Sequence, residues 1–376
     1  MAPPPPPLAD ELVEELLLRI PPDDPASLLR AALVCKDWCR VASGAVFRRR
    51  LRDLHRGAPP ILGFIQRRVG ASKCFSRTSS SSFRPRTAGL RGWFVLDSRH
   101  GRVLLGASRS VPSLAIWDPI TGEQLELPSS RLAFYWQNNW PFCVSAAVLC
   151  AAASGPNGGC DHLDCRRGPF IVVLLSTVPN VTVHVYSSED GAWSEPIYAP
   201  MIHNVCISSC PCPLDQNVLA GNALYFTCQA NNICSKILEY DLGAREINWI
   251  NLPRDYPFWR CPLLFTTTEY GRLGVAIVEN SRLRLWPREA GPDQRLGWEQ
   301  GRVIEIGTML PSCNDRFIAV VGFVPGLDVF LLRTYDETYS FDVKSERMRK
   351  VCNDRGIQNV VPYMSLCTPG TSLLAF

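Results

Sequence analysis

Leu12, Leu16 and Ile20 recur at intervals of four, with Val13 and Leu17 beside them, so an apolar stripe is predicted along one helix. Asp10, Glu11, Glu14 and Glu15 crowd its early turns, where the positive end of the helix dipole favours carboxylates. Pro21-Pro22 ends it, because proline lacks the N–H and clashes with the preceding turn. Asp24 then suits an N-cap and Pro25 the first position of a second helix bearing Leu28, Leu29, Ala32 and Leu33. Val34-Cys35-Lys36-Asp37-Trp38 leads into a short third helix with Trp38 and Val41. Ser43 is placed to cap a fourth, whose apolar side is Val46, Phe47, Leu51 and Leu54. Helices this short carry more leucines than they can bury against one another, and a unit of about 50 residues is marginal alone. Two readings follow: a surface awaiting a partner, or an ordinary helical subdomain docked on the rest of the chain.

After Ala58-Pro59-Pro60 the helical period stops and Ile61-Leu62-Gly63-Phe64-Ile65 begins an extended segment. Residues 70–86 are rich in Ser and Arg and read as a flexible surface loop. Beyond Arg91 the pattern is one of short apolar strands and polar turns. A hairpin recurs: a strand ending in an aromatic, a polar turn, then a second strand. Ile116-Trp117-Asp118-Pro119-Ile120-Thr121-Gly122 shows it, as do the segments around Tyr186, Tyr240, Trp286 and Phe341. These markers stand 69, 54, 46 and 55 residues apart. Upstream of several lies another apolar pair, such as Trp93-Phe94-Val95-Leu96 with Val103-Leu104-Leu105. Four short strands in roughly 40–50 residues is the pattern of a β-propeller blade. Five blades are visible, and a sixth is expected from residues 61–90 together with a terminal strand Ser372–Phe376. A pair of β-sandwiches is the rival architecture, and a hairpin repeated over more than 200 residues argues against it.

Composition narrows the function classes. Lys plus Arg is 39 against 35 Asp plus Glu, a net charge of +4 over 376 residues, which gives no support for a general nucleic-acid or membrane-surface binder. Arg48, Arg49, Arg50, Arg52 and Arg56 cluster without interleaved aromatics and read as a solvated helix end. The start, Met1-Ala2 and five prolines, lacks the basic and apolar regions of a secretory signal. The stretch Trp140 to Ala153 is too short and polar to span a membrane. The expected location is the cytoplasm, the nucleus or both. The sixteen cysteines are scattered, with no Cys-x-x-Cys, and most read as small reduced core residues.

The order Leu8-x-Asp10-Glu11-Leu12-x-x-Glu15-Leu16-Leu17-x-x-Ile20-Pro21, Asp24-Pro25-x-x-Leu28, Val34-Cys35-Lys36-x-Trp38 and Phe47 resembles an F-box of the large plant families, over residues 8–55. Ala9 stands where those families usually have proline, and Gly44-Ala45 where they often have Asp-Pro. The Trp117-Asp118-Pro119-x-Thr121-Gly122 region is similar to the kelch-like, F-box-associated propellers that follow such F-boxes. Together these give a small all-α N-terminal domain followed by an all-β region, a β-propeller of about six blades. The boundaries are a proline-rich tail 1–7, the F-box 8–55, a linker and loop with room for first strands 56–91, and the propeller 92–376.

The resemblance implies docking to a Skp-type adaptor and through it a cullin, as the substrate receptor of an SCF-type ubiquitin ligase. By motif position the adaptor-facing candidates are Leu8, Leu12, Leu16, Leu28, Val34, Cys35 and Trp38. Trp38 and Phe47 serve equally well as core. The aromatic stretches with Tyr135, Trp136 and Trp140, and with Phe258, Trp259 and Arg260, have the character of anchors for a protein target, although aromatics buried between blades have the same composition.

Motifs for catalysis are missing: there is no Gly-x-x-x-x-Gly-Lys, Gly-x-Gly-x-x-Gly, His-Glu-x-x-His or Gly-x-Ser-x-Gly. Cys160-Asp161-His162-Leu163-Asp164-Cys165 is the densest group of metal-ligand types, but the sequence marks no second ligand pair, and it reads as a surface loop. No cofactor, metal, nucleic acid or membrane is expected, and no enzyme activity. An F-box scaffold acting outside a ligase is the alternative, and a propeller enzyme with a helical accessory a weaker one.

Overall fold

The computed structural model describes residues 8–368 except 56–58, 67–73, 108–112, 130–143, 155–159, 161, 163, 164, 177–179, 201–216, 231, 232, 257–262, 269, 291–295, 300, 311–317, 325, 326, 335, 336 and 353–359. Four helices come first: α1 (Asp10–Leu18), α2 (Pro25–Ala32), α3 (Lys36–Ser43) and α4 (Ala45–Leu54). Val13, Leu17 and Leu18 of α1 pack with Leu28 and Ala32 of α2, Ala42 of α3, and Phe47 and Leu51 of α4. Pro25 begins α2 and Asp24 stands at its N-cap, where its Oδ2 accepts the Ser27 hydroxyl at 2.6 Å rather than a backbone N–H. The fourth helix departs from expectation: α3 runs through Ser43, and Gly44, extended at φ −68° and ψ 144°, caps α4.

Six antiparallel sheets follow. Blade 1 is Trp93–Arg99, Arg102–Ala107, Ser113–Trp117 and Gln124–Glu126. Blade 2 is Val144–Cys150, Phe170–Ser176, Thr182–Ser187 and Ala192–Trp193, with Ile197–Tyr198 also on its third strand. Blade 3 is Asn217–Ala220, Ala223–Ala230, Ile233–Asp241 and Glu246–Asn251. Blade 4 is Leu264–Thr267, Leu273–Glu279, Arg282–Ala290 and Leu296–Trp298, with Val303–Glu305 added to its third strand. Blade 5 is Ala319–Val324, Val329–Arg333, Thr338–Asp342 and Arg347–Cys352.

Blade 6 is built from both ends of the propeller. Val360–Met364 is its first strand, Ile61–Gln66 its second and Phe75–Arg77 its third. The first strands of successive blades touch one another all the way round, from blade 6 to 1 and on to 5 and back to 6. This is a closed six-bladed propeller.

Packing explains the near-continuous apolar runs. A blade buries both faces against neighbours, so a strand such as Phe170–Ser176 has no polar side to show. Six apolar clusters each span two adjacent blades, one for every interface of the ring. The aromatic markers Trp117, Tyr186, Tyr240, Trp286 and Phe341 all lie on third strands and are all buried. In three blades the next residue is an aspartate whose Oδ1 accepts two backbone N–H groups of the following turn. Asp118 takes Ile120 and Thr121, Asp241 takes Gly243 and Ala244, and Asp342 takes Lys344 and Ser345. Farther out, Trp193, Trp249 and Trp298 of the fourth strands each donate their indole N–H to a carbonyl following or ending the preceding blade, on Pro128, Pro200 and Asn251.

Two expectations are corrected. The closing strand is Val360–Met364 rather than Ser372–Phe376, which lies outside the described residues; Pro362 is tolerated because this strand is the edge of its sheet. Residues 61–90 do supply blade 6, as expected, so the propeller boundary moves from 92 to Ile61, and the stretch read as a flexible loop is packed: Ser76, Ser81 and Phe83 are buried, and the Phe83 ring stacks on Tyr363 at 5.5 Å. No helix among the described residues is long and apolar enough to cross a membrane.

Candidate functional site

α1 carries two neighbouring apolar stripes, and the core uses one. Val13 and Leu17 turn inward, while Leu12 and Leu16, one residue earlier in each turn, are 56% and 45% exposed. Leu8, four residues before Leu12, is exposed as well. Between α2 and α3 a second apolar group stands in solvent: Leu33 at 69%, Val34 at 67%, and Cys35. A leucine side chain gains roughly 1.5–3 kcal/mol on full burial, so this unit leaves a large favourable term unused.

Exposed ion pairs tie α1 to α3 and α4. Arg40 of α3 donates to Asp10 at 2.6 Å, and this hydrogen bond holds the guanidinium above its ordinary range. Arg50 of α4 bridges Glu15 at 2.7 Å and Glu14 at 2.9 Å and is raised likewise, first by the bond to Glu15. Glu14 and Glu15 therefore serve α4 rather than the dipole of α1, whose first turn holds only Asp10 and Glu11. Arg50 stays exposed at the basic helix end, and its charge is paired to α1.

Of the motif-derived candidates, Leu8, Leu12, Leu16, Val34 and Cys35 are on the surface and Trp38 is partly buried against the helical core. Leu28 is different. At 3% exposure it lies inside that core, because α2 packs on α3 and turns Leu28 and Ala32 into the shared helical cluster, so it supports the surface from beneath. Phe47, left open between core and interface, is core. Leu33 was missed as a surface residue. Its signal was its position at the end of α2, where the helix gives way to the turn into α3.

The helical unit sits at a defined end of the ring. Leu366, two residues past the first strand of blade 6, is buried in the helical core, and Ser82 donates its hydroxyl to Asp24 Oδ1 at 3.1 Å. The helices thus lie at the end where first strands finish. The pairing of Ile61 with Met364 places the start of the second strand there too. The opposite end is where fourth strands finish and the next first strands begin. The proposed target residues Tyr135, Trp136 and Trp140, and Phe258, Trp259 and Arg260, lie outside the described residues. The strands flanking them are fourth and first strands in both cases, Gln124–Glu126 with Val144–Cys150 and Glu246–Asn251 with Leu264–Thr267.

Residues 157–370 match the sequence model of a family described as F-box protein AT5G49610-like, beta-propeller. The chain belongs to this F-box propeller family. A curated Arabidopsis thaliana relative, F-box protein At5g03970, is 24% identical over 297 residues, which is 73% of this chain and 64% of the relative. The chain thus spans a little under two thirds of that protein's length. Among solved structures, a puromycin hydrolase aligns with a TM-score of 0.39 at 12% identity, covering 80% of this chain and 42% of its own. The β-propeller domain of Myceliophteria thermophila Cps50 (Swd1) aligns at 0.35 and 11%, covering 70% and 74%. Overlays this loose carry no functional argument. A plant-type F-box protein with a propeller is what the sequence and the fold jointly describe.

Proposed function

We propose that this F-box propeller protein is the substrate-receptor subunit of an SCF-type ubiquitin ligase. Its helical unit binds a Skp-type adaptor, which carries a cullin, and its propeller holds a protein target. The observation that carries the reading is the outward stripe of Leu12 and Leu16 on α1, with Leu8 before it. These are apolar anchors at helical spacing on a helix whose inner face is already satisfied. Leu33, Val34 and Cys35 supply a second contact group.

Topology favours the receptor arrangement. The helices are fixed at one end of the ring, while fourth strands finish and the next first strands begin at the other. A target gripped there would project away from the adaptor. Ubiquitin transfer belongs to the other subunits, since family and fold are typically non-enzymatic and the sequence carries no motif of its own for the chemistry. The expected setting is the cytoplasm or nucleus.

Capture of the tagged full chain from plant cells, with blotting for adaptor and cullin, tests the reading. Both proteins are expected with the wild type and neither with a Leu12→Asp, Leu16→Asp variant. Adaptor without cullin in the wild-type capture would favour the scaffold alternative. Capture of both by the variant would refute the assigned surface.

A further inference from the structure

The segment between the first and second strands of blade 2 holds an arrangement that its local sequence does not display. Cys150 ends the first strand, buried. Ten residues later come Cys160 and His162, half-buried, and then buried Cys165 at the start of a short turn. The ligating atoms of these four side chains all lie within 4.8 Å of one another. Cys165 Sγ is 3.5 Å from His162 Nδ1, and the His162 backbone N–H points to Cys160 Sγ at 3.4 Å. From these positions we propose that Cys150, Cys160, His162 and Cys165 form a structural zinc site.

The chemistry suits zinc. Three thiolates and one imidazole are a complete tetrahedral donor set with no open position, which is the mark of a structural rather than a catalytic centre. With Zn–S bonds of about 2.3 Å, sulfurs around a tetrahedral zinc stand roughly 3.8 Å apart, so the side chains need to draw in only slightly. By local sequence alone Cys160 to Cys165 reads as a surface loop, because it lacks a second ligand pair. The strand end supplies the fourth ligand, and the β-ladder from Val144–Ser176 to Cys150–Phe170 fixes Cys150 against the base of the segment.

The surroundings hold the ligands in place and supply positive charge. Three thiolates with one zinc leave a net negative centre. Arg102 is buried beside it, its Nη2 donating to the carbonyls of Cys165 and Gly168, while its Nη1 has no hydrogen-bond partner among the described residues. The neighbouring Arg166 pairs with Asp118 of blade 1. The His162 ring stacks on His100, in the first turn of blade 1, with centroids 4.0 Å apart. A metal here would pin the long inter-strand segment of blade 2 to the end of that blade's first strand, beside two turns of blade 1, at the end of the ring that carries the helices.

The test is metal content of the purified full chain, incubated with zinc under thiol reductant and then freed of unbound metal. About one zinc per chain is expected, with a fall of about tenfold or more in a Cys160→Ser, His162→Ala variant, which alters the two half-buried ligands and leaves the core cysteines in place. A Cys35→Ser variant, altering an exposed thiol elsewhere, should keep its zinc. Should the double variant misfold, cobalt loaded into the wild type gives an independent readout: the visible absorption of a tetrahedral, thiolate-rich site is expected. A folded wild type without zinc, zinc retained in a folded double variant, or a disulfide among Cys150, Cys160 and Cys165 in chain alkylated without reductant would each overturn the proposal.

Discussion

Ser82 donates its hydroxyl to Oδ1 of Asp24 at 3.1 Å, tying the cap of α2 to the blade that closes the ring. The same carboxylate accepts the Ser27 hydroxyl at 2.6 Å, and these bonds, the Ser27 one foremost, hold Asp24 below the usual 3.8 despite some burial. Losing both bonds in Asp24→Ala should cost about 1 kcal/mol in urea unfolding. A depressed folded pKa means the contribution is complete above the unfolded value and drains as pH falls through the folded one. The difference in stability between wild type and Asp24→Asn should therefore be flat from neutral pH to about 5 and shrink below about 4. A difference that grows on acidification would show that Asp24 is not the charged acceptor described.

Phe83 is fully buried, stacked on Tyr363 and edge-on to Phe75, with 5.7 Å between the Phe83 and Phe75 centroids. It joins residues from the two ends of the propeller. Phe83→Ala should cost about 3–5 kcal/mol in denaturant unfolding, since it opens a cavity where the ring closes. A loss under about 1 kcal/mol would mean that blade 6 closes without this contact.

Tyr363 is fully enclosed, and burial raises its phenol well above the ordinary value of 10. An acid whose folded pKa is raised stabilises the fold up to the unfolded pKa and ceases to as pH climbs through the folded one. Stability should fall once pH passes about 10, and Tyr363→Phe should make that fall shallower. An unchanged alkaline slope in the variant would remove Tyr363 as a contributor.

Much of this fold is written locally. Pro21-Pro22 and Asp24-Pro25 mark helix ends by backbone chemistry alone, and the aromatics Trp117, Tyr186, Tyr240, Trp286 and Phe341 mark the third strands because blade interfaces need large apolar groups at that position. What could not be read depends on partners far along the chain. Val360–Met364 closes the ring only because Ile61–Gln66 awaits it, and nothing around Pro362 announces the first strand of a blade. Phe83 sits in a Ser- and Arg-rich stretch whose composition says loop, yet its burial is decided by Tyr363. The surface leucines divide similarly. The α1 repeat shows two stripes without saying which faces in, and motif position puts Leu28 outward because only its packing in the helical core shows otherwise.

Leu33 and Val34 stand in solvent between α2 and α3, away from the core residues. Replacing both with serine should leave thermal unfolding within about 2 °C, as surface changes of this kind are small. Adaptor affinity should nevertheless drop about tenfold or more, as expected for interface anchors. Equal affinity in a titration of the folded variant would confine the contact to α1.

The most direct measurement is the affinity of the purified full chain for a Skp-type adaptor, compared with a Leu12→Asp, Leu16→Asp variant by calorimetry. Both leucines are exposed, so the variant should match the wild type in circular dichroism and unfolding. The account predicts a one-to-one complex with the wild type and a loss of affinity of at least about a hundredfold in the variant. Equal binding by both proteins, or no binding of the folded wild type to any adaptor, would contradict it.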